Sequence, residues 1–173
     1  MRNLDKFLSL EVDKINGEVF MEISEKMVEG IRVAYIECRG SYERIPEYIS
    51  EVAGWVLKNG LQMTGRVYGT YYNTPEEVDE EELLYEIGVS IAGEAEADER
   101  VKIKNLPSHR VIAALHEGPY TEVGPVIHAL IEYAMENGYE ITGPVTEVYL
   151  NSPLEVDESE LLTEVQIPVK RSE

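Results

Sequence analysis

The feature that most constrains this chain is an internal repeat with an offset of 78 residues, which aligns Arg32 with Arg110 and needs no gap. Residues 28–91 and 106–169 share 21 identities among 64 aligned pairs. The identities include a glycine, an Asn-Gly pair, a proline turn and a Leu-Leu pair. Because a long repeat present only twice is too short an array for a solenoid, it predicts one domain with pseudo-two-fold symmetry over residues 1–173.

Each copy predicts the order strand, helix, strand, strand. Apolar residues recur at steps of three and four from Ile45 to Val56, and again from Val123 to Ala134, which is the pattern of an amphipathic helix. Both helices should end at Asn-Gly, where glycine adopts the left-handed conformation of a helix C-cap. Strands are predicted at 31–38, 66–72 and 83–91 in copy one, at 110–116, 144–150 and 161–169 in copy two, and as additions within 18–28 and 94–105. The expected fold is α+β, with an antiparallel sheet and both main helices on one face.

Net charge and cysteine content narrow the classes of partner. With 15 basic and 34 acidic residues the net charge is −19, which argues against nucleic-acid binding because that binding depends on Lys and Arg. Cys38 is the single cysteine, so no internal disulfide and no thiolate-rich metal site is expected. No segment reads as a signal peptide or a membrane span, which predicts a cytoplasmic protein without membrane contact. We expect no cofactor and no metal, since the three histidines lack ligand spacing.

Short motifs in copy two resemble a known family. They are Leu106-Pro107, His116-Glu117-Gly118-Pro119-Tyr120, Asn137-Gly138-Tyr139, Glu147-Val148-Tyr149-Leu150, Pro153 and Thr163-Glu164-Val165-Gln166-Ile167-Pro168-Val169. Their order and spacing are similar to the GyrI-like small-molecule-binding family, also called the AraC-type effector-binding domain and typified by a Rob C-terminal-like domain. The resemblance covers about residues 20–170. It implies a duplicated βαββ fold with a ligand cleft between the two helices, and a functional glutamate at the position of Glu147.

The resemblance implies three classes of function, and the sequence leaves all three open. The leading hypothesis is a stand-alone protein that binds an apolar, aromatic or cationic small molecule between the repeats, in drug or toxin sensing or in transcription regulation. The second is a hydrolase of strained cyclopropane-type xenobiotics that uses Glu147 as its catalytic group. The third is an acidic protein, such as a gyrase inhibitor, that binds a basic protein surface. The first 25 or so residues show no helix-turn-helix pattern, so we do not expect a complete one-component regulator.

Glu147 also stands out without the family. It lies among Val145, Val148 and Tyr149 on a predicted strand, and its counterpart in copy one is Gly69. A carboxyl group in apolar surroundings has a raised pKa or needs a cationic partner. The alternative is a surface or ion-paired residue, because structural ion pairs also produce such positions.

Tyrosines form the second candidate constellation, since the chain has 11 Tyr, one Trp and two Phe. Tyrosine pairs an apolar ring with a hydroxyl, and ring faces attract cations. The alternative for each is packing within the sheet or against the helix. The candidate ligand-binding residues are Glu147, Tyr149, Tyr68, Tyr71, Trp55, Tyr133, Tyr120 and Tyr42. Glu86 and Glu164 are equivalent, and for them we expect a structural role.

Overall fold

A computed structural model describes residues 13–15, 18–20 and 22–172. Its strands are β1 (Asp13–Ile15), β2 (Glu18–Phe20), β3 (Ser24–Val28), β4 (Ile31–Arg39), β5 (Gln62–Tyr71), β6 (Leu84–Ala92), β7 (Lys102–Leu106), β8 (His109–Glu117), β9 (Tyr139–Ile141), β10 (Val145–Tyr149) and β11 (Leu162–Arg171). The helices are α1 (Ile45–Lys58) and α2 (Gly124–Glu136), and four short 3₁₀ turns accompany them. All strand pairings given below are antiparallel, which confirms the predicted α+β class. Among the described helices, none is long and apolar enough to span a membrane.

The chain divides into two compact units. One contains the described residues up to Val28 together with those from Arg110 onward, and the other contains Glu29–His109. In the second unit the strand order is β5-β6-β4-β7, and α1 packs on it through Ile45, Tyr48, Val52 and Val56. In the first unit the order is β3-β8-β11-β10, with β9 pairing the end of β11. There α2 packs through Val126, Leu130 and Ala134 onto Ile112, Ala114, Val165 and Ile167.

The local structure of one copy recurs in the other at the offset of the repeat. The side chain of Asn59 donates to the carbonyl of Trp55, and Asn137 does the same to Tyr133, so each helix ends at its predicted Asn-Gly pair. Gly60 and its counterpart have φ of +73° and +74°, in the left-handed region that favours glycine. The duplication inferred from the sequence is consistent with these repeated contacts.

The repeat extends further back than the sequence comparison indicated. Strands β3 and β7 start at Ser24 and Lys102, which are 78 residues apart like the rest of the two copies. Strand β3 precedes copy one in the chain but lies beside β8 of copy two. Strand β7 precedes copy two but pairs with β4 of copy one. Sequence identity is low here apart from Lys26 and Lys104, so the sequence alone indicates copies that start at residues 28 and 106.

Two sequence predictions fall partly outside the described residues or differ in detail. The absence of a helix-turn-helix motif from the first 25 or so residues concerns mainly positions outside them. The predicted strand within 94–105 is confined to Lys102–Leu106. Before it, Asp98 accepts hydrogen bonds from the backbone N–H groups of Arg100 and Val101 and from the indole of Trp55, so this acidic segment is an ordered turn.

Candidate functional site

Glu147 lies on β10 in the face of the sheet that α2 covers. Its Cα is paired with that of Val165, and Val165 belongs to the apolar cluster under α2. Because directly opposed residues of an antiparallel pair point to the same side, the carboxyl group is directed into this apolar layer. Only 6% of the residue is exposed. The geometry of the strand therefore puts Glu147 in apolar surroundings.

The carboxyl group of Glu147 has neither a hydrogen-bond donor nor a cation on it among the described residues, in contrast to the other buried glutamates. Burial raises its pKa from the ordinary 4.5 to about 8. The cause is desolvation, since the charged form loses its water and gains no compensating partner. With this pKa the group is mostly a neutral acid at pH 7.

Two predicted tyrosines lie beside Glu147 in the same unit. Tyr149 is two residues further along β10 and therefore on the same face of the strand. The ring of Tyr120, from the 3₁₀ turn before α2, meets the Tyr149 ring with centroids 5.2 Å apart at an interplanar angle of 57°. Burial and the nearby Glu147 charge raise the pKa of Tyr120 to about 12. Glu147, Tyr149 and Tyr120 thus form a group of one acid and two rings.

Tyr133, the fourth candidate in this unit, is placed differently. It lies on α2 and its ring stacks on Tyr139, with centroids 6.2 Å apart. Tyr139 in turn donates a hydrogen bond to Glu25, which also pairs with Arg110 and Arg171. Tyr133 therefore packs on Tyr139 and against the apolar cluster under α2, and its ring stacks on neither Tyr120 nor Tyr149.

The candidates of the other unit fall into two groups on opposite faces. On the face covered by α1, the rings of Tyr42 and Tyr71 lie 5.3 Å apart and both contact Tyr85. Gly69 is on this face too, paired with Ile87, so the position that carries Glu147 in one copy is without a side chain in the other. Trp55 is on the outer part of α1, where its indole N–H donates to Asp98 at 2.9 Å.

Tyr68 lies on the opposite face of the sheet, where it forms a hydrogen bond with Glu86. Its hydroxyl donates to Glu86 at 2.7 Å, and Tyr72 and Lys104 donate to the same carboxylate at 2.7 and 2.8 Å. The Tyr68 ring passes over Gly88, where an added Cβ would come within 2.6 Å of it. The sequence break between Tyr68 and Thr146 therefore reflects packing around a buried ion pair.

The equivalent ion pair in the first unit is built with different neighbours. Glu164 pairs with Lys26 and accepts a hydrogen bond from Gln166 at 2.8 Å. Gln166 occupies the position of Gly88 in the repeat, and Thr146 that of Tyr68, so the amide replaces the phenol as donor to the glutamate. The expectation of a structural role for Glu86 and Glu164 agrees with these contacts. The sequence pattern did not single out Lys26 and Lys104 as the cations of these pairs, although they are 78 residues apart like the other equivalent positions.

Other side chains with reactive chemistry occupy structural positions. Cys38 is 4% exposed, and burial raises the pKa of its thiol to about 12. His116 is buried, and its Nε2 lies 2.9 Å from the carbonyl oxygen of Pro119. Among the residues that the structure covers, no group of three or more His, Cys, Asp or Glu side chains is arranged to hold a metal ion.

Two shallow hollows lie at the acidic turns that follow the prolines. One, of about 320 Å³, is lined by residues within 75–82, and the other, of about 380 Å³, by residues within 153–160. Neither is lined by a predicted site residue. Both hollows are open, and at least half of the residues that line each of them are acidic, which does not fit a ligand pocket with mostly apolar walls. The group around Glu147 is therefore the candidate site.

Comparison with known proteins shows a family match and several structures of similar fold. Residues 21–170 match the GyrI-like small molecule binding domain. No curated protein sequence matches significantly. Among solved structures, the EcmrR C-terminal domain has a TM-score of 0.79 at 20% identity, covering 87% of this chain and 98% of that one. In the EcmrR–DNA complex the chain spans 57% of the EcmrR chain.

Two further structures share the fold at lower identity. A hydrolase from Listeria innocua has a TM-score of 0.63 at 13% identity and covers 98% of each chain. SAV2435 bound to tetraphenylphosphonium has a TM-score of 0.57 at 16% identity, covering 87% of this chain and 94% of that one. Identities this low establish likeness of fold, whereas the family match extends over most of the sequence. The chain therefore belongs to the GyrI-like family of small-molecule-binding domains.

Proposed function

We propose that this protein binds a hydrophobic cation, with the Glu147 carboxylate as the counter-ion and the rings of Tyr120 and Tyr149 as part of the wall. The observation that carries the proposal is a glutamate that is 6% exposed and has no donor or cation on it among the described residues. Such a group destabilises the fold when it ionises, so a binding role accounts for its presence. The tetraphenylphosphonium bound to SAV2435 is a ligand of this chemical type.

Glu147 and the rings contribute different parts of the binding free energy. A cation that binds next to the carboxylate gains a Coulomb attraction that is strong because the site is buried. The carboxylate has no such attraction in the free protein. The aromatic faces add cation–π attraction and bury apolar surface of the ligand. A neutral ligand of the same shape obtains only the second part, so the protein should discriminate by charge.

Isothermal titration calorimetry with tetraphenylphosphonium tests the proposal. This probe is a permanent cation, so any pH dependence of its affinity comes from the protein. Because the pKa of Glu147 is about 8, the dissociation constant should fall about tenfold per pH unit from pH 6 to pH 8 and then level off. Neutral triphenylphosphine oxide should show no such dependence.

Glu147→Gln should remove the pH dependence and weaken binding above pH 8 by about a hundredfold, because it removes the partner of a buried cation. Glu160→Gln is the matched control, since it deletes one carboxylate from an exposed turn. If Glu147→Gln and Glu160→Gln bind the probe alike, Glu147 is not the counter-ion and the proposal is wrong.

The pKa of about 8 also favours a second candidate function, the hydrolase predicted from the sequence. A neutral acid at pH 7 can protonate a strained ring as it opens, and a carboxylate can activate water. Turnover of a cyclopropane-bearing substrate that Glu147→Gln abolishes while binding persists would support it. Binding of the substrate without turnover by the unmodified protein would exclude this activity for that substrate.

A further inference from the structure

Thr163 is a buried hydroxyl that the fold does not use. It lies on β11 with no measurable exposure, and its Oγ1 has no hydrogen-bond partner among the described residues. An unsatisfied buried hydroxyl lowers stability, because it has given up water and received nothing in return. Since most buried polar groups are paired, this hydroxyl calls for an explanation.

The strand register places this hydroxyl in the Glu147 site. Thr163 is directly opposite Tyr149, and Glu147 is directly opposite Val165. These four side chains therefore point to the same face of the sheet, with Glu147 and Thr163 as diagonal neighbours. Diagonal positions in an antiparallel pair are about 7–8 Å apart at Cα, a span that one nitrogen-centred group can bridge through both side chains.

The residue on the other side of Thr163 does not satisfy its hydroxyl. His116 is opposite Thr163 across β8, but its Nε2 is directed to the carbonyl of Pro119. The neighbours of Thr163 along β11, Leu162 and Glu164, point to the opposite face, where Glu164 is paired with Lys26. The unpaired hydroxyl of Thr163 and the Glu147 carboxyl group, which has no donor or cation on it among the described residues, therefore share one face.

We propose that the Thr163 hydroxyl is the second polar contact of the Glu147 site and selects ligands whose cationic nitrogen carries at least one hydrogen. The inference rests on the proposed function, in which Glu147 is the counter-ion. A hydroxyl oxygen can accept a hydrogen bond, and an ammonium N–H donates one to it while a second N–H meets the carboxylate. A quaternary cation has no N–H and would leave Thr163 unpaired, so the site should bind it more weakly.

The copies differ in a way that agrees with this assignment. The counterpart of Thr163 in copy one is Tyr85, whose hydroxyl donates to the carbonyl of Ser41 at 2.9 Å. The counterpart of Glu147 is Gly69. Copy one therefore lacks the carboxylate and has a paired hydroxyl at the second position, whereas copy two has the carboxyl group and an unpaired hydroxyl. The combination of the two groups is specific to one unit.

The test compares 4-phenylbenzylammonium with its N,N,N-trimethyl analogue, which shares its charge and aromatic body, by calorimetry at about pH 8. Thr163→Val keeps the shape of the side chain and removes the hydroxyl. It should weaken binding of the primary ammonium roughly tenfold, the value of about one hydrogen bond, and change binding of the quaternary analogue less than twofold. Thr163→Ser should retain the preference of the unmodified protein.

Thermal unfolding of the free protein distinguishes binding from a structural role. Because Thr163→Val removes an unsatisfied hydroxyl, its melting temperature should be equal to or above that of the unmodified protein while ammonium binding weakens. A lower melting temperature together with equal losses for both probes would mean that Thr163 supports the fold, and would overturn the inference. Should Thr163→Val fail to fold, Thr163→Ala and Thr163→Ser provide the same comparison.

The outcomes separate this inference from the function on which it rests. If both probes bind, Glu147→Gln weakens both and Thr163→Val weakens neither, then the counter-ion role stands and the selection by Thr163 is wrong. If Glu147→Gln leaves both affinities unchanged, the proposed function fails, and the inference fails with it.

Discussion

Replacing Glu147 with glutamine should make the protein more stable in alkaline solution and leave it nearly unchanged near pH 5. The carboxyl group has a pKa of about 8 in the folded protein, against 4.5 as its ordinary value. Between these values the folded state holds one proton more than the unfolded state. The free energy of unfolding therefore decreases as pH rises through this window, by about 1.36 kcal/mol per pH unit from this group.

The magnitude follows from the width of the window. The two pKa values differ by 8 − 4.5 = 3.5 units, so ionisation of Glu147 costs about 5 kcal/mol of stability once pH exceeds 8. Above pH 8 the group is ionised in both states, and the difference stays constant. Below about pH 4.5 it is protonated in both states and the cost vanishes. Glutamine has nearly the same shape and no proton to lose, so its contribution does not depend on pH.

Urea unfolding followed by circular dichroism, at one-unit steps from pH 5 to pH 9 and constant ionic strength, measures the effect. Every other titrating group is common to both proteins, so the difference between their pH profiles isolates position 147. Glu160→Gln controls for the loss of one negative charge from a chain with a net charge of −19, and its profile should run parallel to that of the unmodified protein. Parallel profiles for Glu147→Gln and the unmodified protein would refute the reasoning.

Further predictions concern the buried groups of the other unit. Lys104→Met should lower the free energy of unfolding by about 3–5 kcal/mol in urea titrations, because Glu86, 2% exposed, loses its cation; an effect below 1 kcal/mol would contradict this. Gly88→Ala should cost about 1–3 kcal/mol in the same assay, since its Cβ would lie 2.6 Å from the Tyr68 ring, and Tyr68→Phe should not relieve that cost. Cys38 should react with a thiol reagent at pH 8 only at the rate of unfolding, because its thiol is buried and its pKa is about 12; rapid labelling of the folded protein would show that this burial is wrong.

The sequence repeat determined most of the secondary structure. Helix spacing and the Asn-Gly stops depend on contacts within a few residues, which is why α1 and α2 have Asn59 and Asn137 of the predicted Asn-Gly pairs as their C-cap residues. The pattern of alternating residues in β6 likewise follows from the geometry of a single strand. Tyr85 and Ile87 lie on one face of β6 and Glu86 on the other, as the register with β4 shows.

The sequence also singled out Glu147, because the comparison of the copies showed a carboxylate where the other copy has Gly69. What it did not reveal is which strand faces meet which neighbours. Tyr68 was expected among the ligand-binding residues, but its hydroxyl donates a hydrogen bond to Glu86. Tyr68 is adjacent to Gly69, the counterpart of Glu147, and adjacent positions on a strand point to opposite faces of the sheet. The sequence did not indicate Thr163 as a site residue, because threonine is common on strands and only the structure shows that its hydroxyl has no hydrogen-bond partner among the described residues.

The sequence by itself thus determined the α+β class and the position of one unusual acid, and it indicated a duplication with which the structure is consistent, because these depend on local periodicity and on residue identity. Tertiary structure decided which strands pair, and it alone showed that Lys26 and Lys104 reach buried glutamates through strands that pair in the other copy's unit. The physical reason is that burial and hydrogen-bond satisfaction depend on neighbours far apart in the chain. The same carboxyl chemistry forms an ion pair at Glu86 and is buried without a donor or cation at Glu147 among the described residues, and only the neighbours supplied by the fold distinguish the two.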